Sequence, residues 1–392
     1  MKIAIVYDCL FPNTVGGAER WYRNLAERLR ERHEIAYLTR RQWGEEGPGT
    51  SFESLAVSPG SELYTRSGRR RIWPPLRFGL GVFWHLLRHG RRYDAVHSAS
   101  FPYFSLLGAR LGLRLSRSSA RLIVDWHEVW GPDYWRSYLG PMGGRIGFAV
   151  ERLCLRLPDR SFTFSRLAEA RLLQYGHRAP IVRLTGEYAG DAWADRRSRE
   201  DSTEQPDPPL VVSAGRHIPE KRVPVIPPAI AAARARVPDL RCVILGEGPD
   251  TDATRRRVGE LGLESAVELP WKVSHDELMR RLASASCLLH PSEREGYGVV
   301  VVEAVSVGTP AIVVRGSENA ATELVEDGRN GFIVDSASPE ALAEAIVHAV
   351  TNGPDLRASA FDWYRDNRER LSIESSLREV EAAYEALAGS RA

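Results

Sequence analysis

Short apolar runs of strand type alternate with longer stretches of helical period, and the alternation runs through twice, either side of one break. Before the break the runs are Ile3–Tyr7, Glu34–Leu38, Asp94–His97, Leu122–Val124, Arg160–Phe164 and Ile181–Leu184. Helical stretches lie between them at Ala18–Arg32, Leu76–His89, Ser105–Leu113, Arg145–Leu157 and Arg166–Tyr175. After the break the runs are Leu210–Ala214, Arg241–Leu245, Ala266–Leu269, Cys287–His290, Ala311–Val314 and Gly331–Val334. Helical stretches here include Val223–Ala235, Thr251–Leu261, His275–Ala283, Val299–Val307 and Ala320–Glu326, and Pro339–Ala388 is helical throughout. Repeated βα units build parallel sheets covered by helices on both faces. The expected architecture is therefore α/β, with two doubly wound, Rossmann-like domains that bind ligands at the carboxyl ends of their strands.

The break, ADRRSREDSTEQPDPP and its surroundings, is polar, acidic and rich in Pro. It predicts a linker over 188–209 between a domain at 1–187 and a second at 210–370. A chain of 392 residues gives each domain enough material for its own core.

Net charge is +2, but it is unevenly placed. Residues 1–190 hold 29 basic and 17 acidic residues; 191–392 hold 24 and 34. The two halves are thus expected to face different partners. Lysine is confined to Lys2, Lys221 and Lys272, so the basic side chains are almost all arginine. Cys9, Cys154, Cys242 and Cys287 are far apart and form no CxxC pair, which fits a reducing compartment. The first apolar run is too short for a secretory core, and the most apolar window, Gly296–Val314, contains Glu303, Ser306, Thr309 and Pro310. These features predict a cytoplasmic protein that touches a membrane at most peripherally, at its inner face.

Four motifs carry chemistry. Arg216-His-Ile-Pro-Glu-Lys221 leaves the strand LVVSAG and enters a helix. An Arg and a Lys on such a loop can converge on one anion, the first as a planar fork and the second as a point charge. The other reading is a solvated basic loop. His290-Pro-Ser-Glu-Arg-Glu295-Gly296-Tyr297-Gly298 runs from a strand through a Gly-rich turn into the helix that bears Glu303. The N–H groups from Gly296 to Val299 would cradle an anion or hydroxyl. Glu303, amid apolar neighbours, needs either sugar or ribose hydroxyls or a buried arginine. Val15-Gly16-Gly17-Ala18-Glu19 is a glycine turn feeding a helix, but neither it nor Gly246-Glu-Gly248 has the G-x-G-x-x-G spacing, and no G-x-x-x-x-G-K-[ST] loop occurs. Dinucleotide oxidoreductases and P-loop nucleotidases are poorly supported. Asp125-Trp-His127-Glu-Val-Trp130 ends what the pattern counts as the fourth strand, so His127 either faces the crevice or is satisfied in the core. Asp250-Thr-Asp252 is read as a helix start capped by Asp250, not as a metal–nucleotide motif.

Taken in order, these pieces resemble the family-4 retaining glycosyltransferases of the GT-B fold over nearly the whole chain. The resemblance rests on VGGAER, DWHEVW, SAGRHIPEKR, LGEGP, ELPWKVSHDEL, ATELVEDGRNGFIV and above all HPSEREGYGVVVVEA, which sets Glu295 and Glu303 at the family's spacing. It implies an interdomain cleft and C-terminal helices, 371–392, crossing back to the first domain. It also implies that Arg216 and Lys221 clamp the diphosphate of a nucleotide sugar, that Glu303 holds the ribose, and that Glu295 with Gly296, Tyr297, Gly298 and Val299 grips the donor sugar. His127 would reach the sugar's distal hydroxyl, Gly16 and Gly17 would approach the phosphates, and Gly248, Trp271, Lys272 and Val273 would border the base. The implied donor is a UDP-sugar, with a GDP-sugar second, and neither metal nor cofactor is needed. Leu184-Thr-Gly-Glu-Tyr-Ala-Gly190 departs from the family's turn at the end of the first domain.

The resulting expectation is a hexosyltransferase forming an α-glycosidic bond with retention. A sugar phosphorylase or nucleotide-sugar epimerase on the same fold, or a non-catalytic nucleotide-sugar-binding protein, are the alternatives. The acceptor is expected to be a hydroxyl compound that is anionic, or lipid- or phosphate-linked, because Tyr64–Tyr93 has no acidic residue. It holds eight arginines, among them Arg66, Arg69, Arg70 and Arg71, interleaved with Trp73, Phe78, Phe83 and Trp84. That stretch suits an anionic lipid surface, or is a sheet-covering helix preceded by a basic loop. Nucleic acid is not an expected partner, since no recognition module is present.

Overall fold

A computed structural model describes residues 1–392 apart from 15, 64–70, 191, 197, 204–205, 272 and 390–392. The chain divides into two compact units, one running to Thr185 and resuming at Glu374, the other spanning Gly186–Ile373.

In the first unit the elements are β1 (Lys2–Val6), α1 (Gly17–Leu29), β2 (Glu34–Arg40), β3 (Glu53–Ser58), α2 (Trp73–His89), β4 (Ala95–Ala99), α3 (Tyr103–Leu115), β5 (Arg121–Trp126), α4 (Pro132–Cys154), β6 (Arg160–Thr163), α5 (Arg166–Gln174) and β7 (Ile181–Arg183). The sheet order is β3-β2-β1-β4-β5-β6-β7 and every pairing is parallel. The central strands read as unbroken apolar runs because both of their faces are covered. Right-handed crossovers put α2, α3, α4 and α5 on one face, where their buried side chains meet Ala4, Val6, Leu38, Val96, Leu122 and Val124.

The second unit continues with α6 (Ala192–Arg196), α7 (Arg199–Thr203), β8 (Leu210–Ala214), α8 (Ile226–Arg234), β9 (Arg241–Leu245), α9 (Thr251–Glu260), β10 (Val267–Glu268), α10 (His275–Ala283), β11 (Cys287–His290), β12 (Arg294–Glu295), α11 (Val299–Ser306), β13 (Ala311–Val314), β14 (Glu318–Asn319), β15 (Gly331–Val334), α12 (Pro339–Thr351) and α13 (Gly353–Leu371). Its parallel sheet has the order β10-β9-β8-β11-β13-β15, and β12 and β14 pair separately. The last helix, α14 (Ile373–Gly389), groups with the first unit from Glu374 onward. There Glu374 pairs with Arg28 at 2.5 Å and Glu381 with Arg32 at 2.9 Å.

Several expectations need correcting. The strand ending at Trp126 is the fifth of its sheet, because β3 escaped the reading; ESLAVS is an edge strand with a single fully buried residue, so its apolar signal is weak. The helix expected at Arg145–Leu157 begins at Pro132, and Gly140, at φ 77° before Pro141, breaks it into two pieces. Ala320–Leu324 is a 3₁₀ turn. The stretch read as a linker carries α6 and α7 and groups with the second unit; Arg199 there bonds Asp362 of α13 through both carboxylate oxygens. Asp250 precedes α9 but makes no side-chain cap bond, since its backbone is already helical; its N–H instead donates to His217 O at 2.9 Å.

Helices α2 and α3 approach closely enough that a Cβ at Gly108 would stand 2.2 Å from Gly79 O. Backbone cannot yield that space cheaply. Gly108→Ala is expected to lower stability by roughly 1–3 kcal/mol through forced separation of the two helices, measured as a shift in the urea midpoint with an unchanged slope.

Candidate functional site

In the second unit, three loops at the carboxyl ends of β8, β9 and β11 are stitched together by backbone bonds. His217 N–H donates to Glu247 O at 2.9 Å, and Glu293 N–H to Glu220 O at 2.8 Å. Gly248, at φ 158°, permits the first of these, because a Cβ there would lie 2.4 Å from His217 O. His217 is buried, and its Nδ1 lies 2.8 Å from Thr251 Oγ1 at the start of α9. The interlocked loops fix a pocket whose lining includes Gly215, Arg216, Lys221, His290 and Ser292.

The charged groups of that pocket are paired among themselves. The Lys221 ammonium bonds the Glu295 carboxylate, and His290 Nε2 lies 3.3 Å from the same oxygen and 3.1 Å from Ser292 Oγ. Burial alone would raise the Glu295 carboxyl, but Lys221 and His290 outweigh it and hold it well below the usual carboxylate range. Lys221 and Glu295 are each only 17% exposed at the side chain, so their attraction is little screened. Folding gives Glu295 its position through β12, which pairs with β14 in register Glu295↔Asn319. Asn319 is itself buried and its amide donates to Ser292 O and Val314 O. Sequence reasoning did not assign His290 or Ser292 a role; His290's place as the last residue of an apolar strand was the available signal.

Beyond Glu295 the chain turns at Gly298, φ 103°, and enters α11 at Val299, with Tyr297 buried on the way. Burial raises the Tyr297 hydroxyl, which therefore stays protonated. Glu303 is 3% exposed on α11, a helix apolar on every side, and His275 Nδ1 lies 3.8 Å from its Oε1. The expected residues Arg216, Lys221, Glu295, Gly296, Tyr297 and Gly298 thus belong to loops at one sheet end, and Val299 and Glu303 to the helix α11 that leaves them. Gly248 lies in the β9 loop, Trp271 is 69% exposed and Val273 is partly buried. Lys272 falls outside the described residues.

In the first unit, Gly16 caps α1 with an extended backbone, φ −178°, and the Glu19 carboxylate folds over it; a Cβ on Gly16 would stand 2.3 Å from Glu19 Oε2. The turn expected to approach phosphate therefore has a carboxylate across its mouth. Gly17 is the first residue of α1. His127 follows β5, half-buried, with its ring stacked on Phe164 at 4.3 Å and edge-on to Tyr22 at 5.9 Å. Beneath it Asp125 is fully buried and accepts from Trp21 Nε1 at 2.8 Å, while His97 Nε2 lies 2.6 Å from its other oxygen. His97 Nδ1 lies 2.6 Å from Tyr384 OH on α14. Of the basic loop, Arg71 is described, pairing with Glu62 at 3.2 Å, whereas Arg66, Arg69 and Arg70 are not. Among the described residues no group of three His, Cys, Asp or Glu could hold a metal ion.

An arginine–lysine loop beside a glutamate-bearing glycine turn, at the carboxyl ends of parallel strands, defines an anion-binding class of site. Comparison makes it specific. Residues 15–184 match the model described as "Glycosyltransferase Family 4", and 194–362 that described as "Glycosyl transferases group 1". The chain is 30% identical to the D-inositol 3-phosphate glycosyltransferase of Streptomyces scabiei, over 76% of this chain and 75% of that protein. It is 32% identical to a GDP-mannose-dependent phosphatidylinositol monomannoside mannosyltransferase of Mycolicibacterium smegmatis, over 47% of this chain and 50% of that one. In that match, as in several like it, the chain spans about half the relative's length. The fold matches sucrose-phosphate synthase of Thermosynechococcus elongatus (TM-score 0.80, 17% identity, 99% of each chain) and Anabaena HepE in complex with UDP and glucose (TM-score 0.74, 18% identity, 98% of this chain and 100% of that one). The chain belongs to glycosyltransferase family 4 and has the GT-B fold.

The loop that carries His127 is held by a second buried carboxylate. Glu151 of α4 accepts from Trp130 N at 2.8 Å, Tyr103 OH at 2.7 Å and Trp135 Nε1 at 2.5 Å. Burial pushes its carboxyl from 4.5 up to about 7, against the pull of those donors and of Arg171. Between these values the unfolded chain has lost the proton that the folded chain retains, so stability is full below about 4.5 and declines as pH rises to about 7. The decline is on the order of 3 kcal/mol. Glu151→Gln, which cannot ionise, is expected to flatten this slope in melting temperatures recorded across the interval, at the cost of a lower melting temperature overall.

Proposed function

We propose that the protein transfers a hexosyl group from a nucleoside-diphosphate sugar to a hydroxyl acceptor, with retention, forming an α-glycosidic bond. The observation that carries this reading is the Lys221–Glu295–His290 constellation beside Arg216 at the carboxyl ends of β8 and β11. Arg216 and Lys221 neutralise the diphosphate and the charge that grows on it as the bond to the sugar breaks. Glu295, kept ionised, orients the Lys221 ammonium and accepts from sugar hydroxyls. Glu303, buried on α11 just beyond the glycine turn, binds the ribose hydroxyls as their acceptor. His127 contacts the sugar's distal hydroxyl, and the amides at the start of α11 face its oxygens.

Catalysis then consists of positioning and leaving-group stabilisation. The acceptor hydroxyl attacks the face from which the diphosphate departs, and a departing phosphate oxygen takes its proton. The donor is a UDP-sugar, with a GDP-sugar second; relatives of the chain are named for GDP-mannose and for UDP-N-acetylglucosamine. The acceptor is anionic, or lipid- or phosphate-linked, a reading supported by the excess of arginine in residues 1–190 and by relatives named for inositol phosphate and phosphatidylinositol acceptors.

A panel of UDP- and GDP-sugars, read as nucleoside diphosphate released with and without phosphorylated polyol acceptors, tests this. Acceptor-dependent release is expected, and Lys221→Ala and Glu295→Ala are each expected to lower it by about 10²-fold or more with the fold retained by circular dichroism. Phosphate-dependent formation of sugar 1-phosphate, or near-normal turnover in both variants, would overturn the reading.

A further inference from the structure

Of the thirteen large apolar side chains that stand exposed among the described residues, eleven lie on the single helix layer α2–α5 or its leading residue Ile72. Exposed apolar residues scattered singly are ordinary; a concentration on one face is not. On α2 they include Trp73 (60% exposed), Leu80 (52%) and Trp84 (49%), and on α4 Met142 (77%) and Ile146 (64%). In the piece of α4 that follows Gly140, Met142, Ile146 and Leu153 recur at helical spacing, so that it presents an apolar stripe outward as well as one toward the sheet.

The exposed charge on this layer and its connections is nearly all basic. From Trp73 to Gln174 eleven arginines are exposed, whereas of the seven acidic residues only Asp133 is, and it pairs with Arg136 at 3.3 Å. Arginine and tryptophan are also joined directly: the Arg77 guanidinium lies 5.6 Å from the Trp73 ring and that of Arg88 5.2 Å from Trp84. Among the described residues no helix is long and apolar enough to cross a membrane.

We propose that the outward face of the α2–α5 layer docks on an anionic lipid bilayer, its tryptophans and leucines entering the headgroup boundary and its arginines bonding lipid phosphates. Charge complementarity selects this occupant. A second copy of the chain would set arginine against arginine across a self-complementary interface, at a repulsive cost. A bilayer supplies both phosphate for the guanidinium forks and an apolar boundary for indole rings, with no need for a matching pocket. The surface is wider than the Tyr64–Tyr93 stretch to which composition alone points, because α4 and α5 extend it across the whole sheet face. The proposal does not rest on the assignment of donor or acceptor.

Co-sedimentation of the full chain with phosphatidylcholine vesicles, and with vesicles carrying an equal part of phosphatidylglycerol, is the test. Binding to the anionic vesicles alone is expected, with release on raising salt. Trp84→Glu combined with Met142→Glu, and separately Arg77→Glu combined with Arg88→Glu, are each expected to weaken partitioning on the order of tenfold or more. Leu261→Glu, an exposed apolar position of the second unit, is expected to bind as wild type. Absence of binding to anionic vesicles at low salt, equal binding to neutral ones, or wild-type binding by both double variants would overturn the proposal. So would light scattering that shows a dimer which the same substitutions dissociate.

Discussion

The carboxylate of Asp125 is wholly buried, yet it stays ionised. Burial raises its carboxyl, and the nearby His97 and His127, with the indole N–H of Trp21, bring it below its ordinary value. A group so placed must be surrounded by donors, and each donor here belongs to a different part of the first unit. Trp21 and Tyr22 lie on α1, directly behind the Gly16–Gly17 turn; His97 lies on β4; Asp125 itself precedes His127 on β5. His97 reaches on to Tyr384, so α14 is tied into the same network. One carboxylate therefore sets the relative position of the glycine turn, His127 and the last helix. Loss of Asp125 would leave His97 and Trp21 buried without their acceptor, which costs more than the bonds contributed.

The same constraint recurs at two further loops. Glu151 fixes Trp130 behind His127, and Glu295 fixes Lys221 and His290. The outcomes differ because the donors differ. Neutral indole, phenol and amide donors leave Glu151 raised to about 7, whereas the ammonium of Lys221 holds Glu295 below the usual range. Only the second arrangement places a cation and an anion at the rim of a pocket, where a bound anion can compete for the cation. The first arrangement is structural in kind; it shapes a loop and presents nothing to a ligand.

Most strands and the second unit's loops were legible because they depend on local pattern. LVVSA, RCVIL, CLLH and AIVV are strands where the sequence placed them, since a parallel strand covered on both faces must be apolar throughout. The motif around Glu295 was legible because Gly298, at positive φ, leaves a mark that other residues rarely replace. What stayed hidden depends on partners distant in sequence. Nothing near Asp125 signals His97, 28 residues away, still less Tyr384; nothing near Glu151 signals Trp130 or Tyr103. The edge strand β3 was hidden for a different reason: one exposed face and one neighbour give it little apolar content to reveal.

Arginine does two kinds of work in the first unit, and the distinction explains why net charge alone was a coarse guide. Arg40, Arg110 and Arg171 point inward or along the surface and donate to backbone carbonyls of Asp8, Leu157 and Val129. Those guanidiniums serve as rigid forks that close loops. The exposed arginines of the α2–α5 layer, Arg77 and Arg88 among them, stand instead among exposed apolar side chains, with Asp133 the one exposed acid from Trp73 to Gln174. Self-repulsion among such like charges destabilises a compact surface, so a sequence shaped only for folding would intersperse Asp and Glu there, as it does on α9, where Asp252 and Glu260 pair with Arg255 and Arg257. A layer left basic and apolar at once is better accounted for by what it contacts than by what it encloses.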